Sequence, residues 1–176
     1  MKKRVLVVGA SGGIGRAIVE RLSADGFVIT IHYRSNQKKA EQVLSIIEKN
    51  QNVTRAVGGG EESFCYGFLD ALGLLSSTEC PVLFVIADDN IAEPFVKFVR
   101  QPLRPYAAAF LLGKEKVSGR PIISLQLKTG FSTEKKGISV SEFLPALEFI
   151  RWLLTDKKNW SAHSSQRDWI WTKDIS

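Results

Sequence analysis

The most chemically suggestive residues lie in one short run, Gly9-Ala10-Ser11-Gly12-Gly13-Ile14-Gly15. It follows the continuous apolar stretch Arg4-Val5-Leu6-Val7-Val8, which has the length of a strand buried on both faces of a parallel sheet. In such a turn Gly9 allows a tight exit from the strand, Gly13 lets backbone approach a pyrophosphate, and Gly15 lets a helix lie close to the sheet. The N–H groups at the helix start, near Gly13 and Ile14, then face the phosphates, with Ser11 and Gly12 completing the loop. Glycines also make ordinary turns, so the informative feature is the context: strand, glycine turn and helix within a βαβ unit.

The end of the second strand tells which dinucleotide such a turn would take. An Asp or Glu there would bind the ribose hydroxyls of NAD, whereas a basic residue pairs with the 2′-phosphate of NADP. The sequence is His32-Tyr33-Arg34-Ser35-Asn36, with no acid. Arg34, with Ser35 beside it, therefore points to NADP(H), because a guanidinium pairs well with phosphate. His32 is expected to pack at the strand end rather than carry a proton.

Other candidate chemistry is sparse. Cys65 and Cys80 lack a Cys-x-x-Cys spacing and sit among apolar neighbours, as reduced buried thiols do. A helix N-terminus could lower the pKa of the Cys65 thiol, but a nucleophile also needs a base, and His163 is the only histidine beyond His32. Two distant histidines do not make a metal site, so no metal is expected.

The positioning elements follow from periodicity. A helix after the turn should bury Ile14, Ala17, Ile18, Arg21 and Leu22 and stop at Asp25-Gly26, before a β-branched strand over residues 27–33. Residues 36–50 should form a second helix burying Ala40, Val43, Leu44 and Ile47. Further on, helices are expected at 61–75, with Phe64, Phe68, Leu72 and Leu75 on one face, and at 140–154, with Pro145 in its first turns. Strands are expected at 81–87, 107–112 and 122–127. Trp169 and Trp171 would share one face of a C-terminal strand.

The composition, 44% hydrophobic and 24% charged, belongs to a globular chain, and 176 residues are enough for a real core but not for two full domains. The longest uncharged apolar stretches, 81–87 and 106–112, fall far short of the roughly 20 residues that span a bilayer. The basic start is followed by too short an apolar run for a signal peptide, so a cytoplasmic location without membrane attachment is expected. The net charge of +6 comes from scattered Lys and Arg, which argues against nucleic acid as a partner.

From Lys3 to about residue 50 the chain resembles the opening of short-chain dehydrogenase/reductases, specifically the 3-oxoacyl-acyl-carrier-protein reductases, which usually begin Thr-Gly-Ala-Ser-Arg-Gly-Ile-Gly. Val8 and Gly12 stand here at the Thr and Arg positions. That resemblance implies a Tyr-x-x-x-Lys helix, an upstream Ser and an Asn-Asn-Ala-Gly loop. None is in this chain: Tyr33, Tyr66 and Tyr106 are followed four positions later by Gln37, Asp70 and Phe110. Without that Lys, a Tyr is a poor general acid at neutral pH.

Residues 53–176 are similar to the later part of the beta-ketoacyl-synthase-like N-terminal domain family. The resemblance rests on the run from Ala56 through Gly58-Gly59-Gly60 to Phe64, on Gly67-Phe68-Leu69-Asp70-Ala71-Leu72, and on residues 82–89 and 106–112. The ending Phe149-Ile150-Arg151-Trp152-Leu153-Leu154 with Trp169-Ile170-Trp171 also fits. It implies a fatty-acid-like or aryl polyene pathway and an acyl carrier protein or another synthase subunit as partner.

The expectation is an α/β protein in which a partial Rossmann (βαβα) unit, residues 1–52, joins a further α/β segment, residues 53–176, in one mostly parallel sheet with helices on both faces. Functionally this reads as a chimera that binds NADP(H) and has weak or no reductase activity. The alternative is a non-enzymatic synthase-like subunit.

Overall fold

The computed structural model describes residues 3–33, 36–48, 55–58, 62–89, 105–129, 144–164 and 167–175. Two compact units make up the chain, Met1–Lys114 and Glu115–Ser176. The junction expected near residue 52 falls inside the first.

The first unit is a five-stranded sheet in the order β3-β2-β1-β4-β5. Its strands are β1 (Arg4–Val8), β2 (Val28–Tyr33), β3 (Arg55–Gly58), β4 (Val82–Asp88) and β5 (Tyr106–Leu112), and its helices are α1 (Gly13–Ala24), α2 (Gln37–Glu48) and α3 (Ser63–Ser76). Strand β1 lies in the centre, parallel to β2 through Val5↔Ile29 and to β4 through Val5↔Leu83 and Val8↔Ile86. The two segments with different resemblances therefore share one hydrogen-bonded sheet. Strand β5 runs antiparallel to β4, with Phe84 opposite Phe110 and Asp88 opposite Tyr106.

Alternation along β1 explains the layers. Val5 and Val7, with Ile29, Ile31 and Val85, meet α1 and α2 through Val19, Ala40, Val43 and Ile47. Leu6 and Val8 point the other way, to α3. There Gly67 brings the helix so close that an added Cβ would stand 2.4 Å from Val8 Cγ2. Phe64, Phe68, Phe84 and Phe110 fill this second layer, with Phe68 and Phe84 edge to face at 5.6 Å.

The helices begin and end near their expected positions. Asn36 Oδ1 accepts the Lys39 N–H at 3.0 Å and caps α2, which buries Ala40, Val43 and Ile47 as expected. In α1 the stripe differs: Gly15, Val19 and Ser23 are buried, Ile18 and Leu22 flank them, and Ala17 and Arg21 are exposed. Close approach at Gly15 turns the 15–19–23 ridge inward and swings Ala17 and Arg21 to solvent, where Arg21 pairs with Asp25 at 3.0 Å.

The second unit holds β6 (Pro121–Thr129), α4 (Pro145–Leu153), β7 (Asn159–His163) and β8 (Arg167–Ile175). Its sheet has the order β6-β8-β7 and is antiparallel throughout, in contrast to the mostly parallel first sheet. Pro145 opens α4, where its missing N–H costs nothing. Trp169 and Trp171 do share one face, buried with Phe149 and Trp152 in this unit's aromatic core. Lys173 Nζ is buried with them and donates to the carbonyls of Trp152, Leu153 and Thr155, tying off the end of α4. No described helix is long and apolar enough to cross a membrane.

Candidate functional site

Strand order reverses between β1 and β4, and ligands of open α/β sheets bind in the crevice at the carboxyl ends of strands at such a point. The glycine turn lies there. Gly9 leaves β1 with φ +80° and donates its N–H to the His32 carbonyl at 3.0 Å. The chain then doubles back, Gly12 N–H donating to Gly9 C=O at 3.0 Å and Arg16 N–H to Gly12 C=O at 2.9 Å. Helix α1 starts at Gly13 with no side-chain cap from Gly12.

The glycines divide into two kinds. A Cβ on Gly9 would fall 1.7 Å from the Ala87 carbonyl oxygen, and one on Gly15 would fall 2.2 Å from the Gly9 carbonyl oxygen. Both obstacles are backbone, so these positions hold the turn against β4 and α1 against the turn. A Cβ on Gly13 would instead stand 2.8 Å from Asp89 Oδ2, a movable side chain. Gly12 also faces Asp89, its added Cβ 3.6 Å from the Asp89 Cβ. Gly13 is exposed, and Ser11, Gly12 and Ile14 are half-buried around it.

Asp89 is the site residue that sequence reading left without a role. Its carboxylate lies at the start of α1, where the helix dipole favours a negative charge and where a pyrophosphate would sit. The signal was present in the sequence as Asp88-Asp89 at the end of a buried strand, but only the β1–β4 pairing brings that strand end beside the turn. A pyrophosphate received by this backbone would have to displace the Asp89 carboxylate.

The remaining candidates separate. Arg34 and Ser35 lie outside the described residues; beyond them Asn36, Gln37, Lys38 and Glu41 line an open hollow at the start of α2. His32 is fully buried on the α3 side, and neither ring nitrogen has a hydrogen-bond partner among the described residues. Asp70 Oδ2 is 3.7 Å from its Nε2. Burial pulls the imidazole pKa down and Asp70 only partly opposes this, so His32 packs as a neutral ring. Tyr106, across from Asp88, has its phenol pushed up by burial and by that carboxylate, the opposite of what a proton-donating tyrosine requires. Cys65 is buried at 2% exposure, and burial, with Glu62 adding to it, raises its thiol far above the range of a nucleophile. Among the described residues, no group of three His, Cys, Asp or Glu side chains could hold a metal ion.

A glycine turn at the switch point of a parallel sheet defines a nucleotide-binding type of α/β architecture, yet an antiparallel fifth strand closes it. Residues 20–172 match the family described as Beta-ketoacyl synthase, N-terminal domain, and the chain belongs to that family. The match begins within α1 and so extends into the segment that resembles reductases. A solved structure, a ketosynthase (ApeO) in complex with its chain length factor (ApeC) from Xenorhabdus doucetiae, has the same fold over 98% of this chain and 70% of that one, with TM-score 0.59 and 18% identity.

Curated relatives cover a smaller part. The chain is 46% identical over 43 residues to an uncharacterized oxidoreductase, YmfI, of Bacillus subtilis, covering 24% of this chain and 18% of that protein. It is 42% identical over 48 residues to the 3-oxoacyl-acyl-carrier-protein reductase FabG of Staphylococcus aureus, covering 27% and 20% respectively. The chain thus spans about a fifth of these relatives' lengths. It combines a reductase-like fragment with a ketosynthase-family body.

Proposed function

We propose that this protein is a non-reducing, synthase-like subunit of a fatty-acid or polyketide-like (aryl polyene) pathway that keeps a weak NADP(H) site at the glycine turn. The observation that carries this reading is the composition of the switch-point crevice. One wall, from Gly9 to Gly15, has the backbone of a dinucleotide cradle; facing it, Asp89 at the end of β4 sets a carboxylate beside Gly12 and Gly13. A bound nicotinamide cofactor would supply hydride. Around it, Gly12, Gly13 and Ile14 would receive the pyrophosphate, and Arg34 with Ser35 the 2′-phosphate. No described residue supplies the Lys-activated tyrosine that a ketone reduction needs.

The synthase-like half of the reading draws support from membership of the beta-ketoacyl synthase family. Inert, buried Cys65 argues against condensation by this chain and in favour of a contact role toward an acyl carrier protein or another synthase subunit. We expect NADPH to bind with weak affinity in a fluorescence titration, while a 3-oxoacyl thioester and NADPH give no enzyme-like turnover. The full chain should co-purify with a co-expressed ketosynthase or acyl carrier protein of the same pathway. Reductase turnover, or failure of both binding assays, would overturn the proposal.

A further inference from the structure

The second unit carries a side-chain array unrelated to the glycine turn. Ser161 Oγ is 2.9 Å from His163 Nε2, and His163 Nδ1 is 2.7 Å from Asp168 Oδ1. A carboxylate only accepts hydrogen bonds, so Asp168 fixes the proton of His163 on Nδ1 and leaves Nε2 to accept the Ser161 hydroxyl. Nucleophile, base and orienting acid are thus connected through the atoms a serine nucleophile needs.

Strand register produces the array. Ser164 N–H donates to Arg167 C=O, and Lys173 N–H to Lys158 C=O. Alternation of an antiparallel ladder then makes His163↔Asp168 and Ser161↔Ile170 the non-hydrogen-bonded pairs, whose side chains stand closest. Ser161 and His163, two apart on β7, fall on one face with Asp168. The opposite face is the aromatic core containing Trp169 and Trp171, which gives the array a rigid base. The same alternation points the Ser161 and His163 backbone N–H groups away from β8, along an edge with which no described strand pairs. All three side chains are exposed, and Ile170 is the apolar residue beside Ser161.

We propose that Ser161 is an activated nucleophile, with His163 as its general base and Asp168 as the positioning residue, that takes short acyl groups from esters or thioesters and releases them to water. In the first step the Ser161 Oγ–acyl carbon bond forms as the carbon–oxygen or carbon–sulfur bond of the substrate breaks. The serine proton passes to His163 Nε2 and on to the leaving group. Water then attacks the acyl-serine, His163 taking its proton and returning it to Ser161 Oγ, so that a carboxylic acid leaves. Ile170, opposite Ser161 on β8, offers an apolar side chain against which a short acyl group would be seated.

The test uses the full chain with p-nitrophenyl acetate and, separately, a fluorophosphonate probe mapped by peptide mass. Ser161 should carry the label, and Ser161→Ala should lose it. His163→Gln and Asp168→Asn should each slow labelling and p-nitrophenol release at least about tenfold, since a positioned base contributes roughly 10²- to 10⁴-fold. These are surface changes, and unchanged tryptophan fluorescence would verify that the hairpin is intact. Labelling of His163→Gln at the wild-type rate, or a label absent from Ser161, would overturn the proposal.

Discussion

The two walls of the switch-point crevice are built on different principles. The β1–α1 wall is made of backbone: Gly9, Gly12, Gly13 and Gly15 set its shape, and no side chain is needed for a phosphate to be received. The wall facing it is made of a side chain, Asp89 at the end of β4, whose Oδ2 would stand 2.8 Å from a Cβ on Gly13. A backbone wall keeps its shape when function is lost, because the same glycines hold the sheet and helix together. A side chain facing the turn is set by strand pairing instead, and here it is a carboxylate.

The sharpest way to break this contrast is at Gly9. Gly9→Ala must hold a Cβ at φ +80° and push it against the Ala87 carbonyl, so it should destabilise the first unit by at least ~2–3 kcal/mol in urea unfolding. Gly13→Ala displaces only the Asp89 carboxylate and should leave the midpoint nearly unchanged. Equal losses at the two positions would show that the glycines are not divided between fold and site.

A smaller effect is expected at Asp89. Asp89→Ala removes the anion that occupies the start of α1, and NADPH affinity should rise about tenfold, equivalent to ~1.4 kcal/mol. Gly13→Leu should abolish binding with the fold retained. Fluorescence titration separates the outcomes: binding by wild type and Asp89→Ala with equal affinity would mean that the carboxylate does not compete, whereas no binding by either would remove the nucleotide site itself.

A pH-dependent effect is expected at His32, whose carbonyl accepts the Gly9 N–H of the turn. Its pKa is lowered in the fold, so the unfolded chain binds the proton first as pH falls. Stability should be complete above the ordinary histidine range near 6.5 and decline below it, by up to ~1.4 kcal/mol per pH unit. Asp70, which opposes the lowering, limits how far the decline extends, and Asp70→Asn should lengthen it. His32→Leu should flatten the profile of urea midpoints between pH 7 and 5; an unchanged slope would place the acid sensitivity elsewhere.

Much of this was written locally. The run from Arg4 through Gly15 predicted a strand, a turn and a helix because glycine positions and apolar periodicity act over a few residues. The buried face of α2 and a place for Pro145 in the first turns of α4 were legible for the same reason, although the start expected at 140 falls outside the described residues. The inward ridge of α1 was not, because close approach at Gly15 depends on the Gly9 carbonyl and not on the helix's own pattern. The direction of β5 was equally hidden, since residues 106–112 read as a strand whichever way they run. Asp89 beside Gly13, and Ser161 beside His163 and Asp168, depend on which strands pair and in what register. Sequence alone therefore determined the elements and the phosphate-type turn; hydrogen-bonded pairing between distant strands decided what stands opposite that turn and which polar side chains meet.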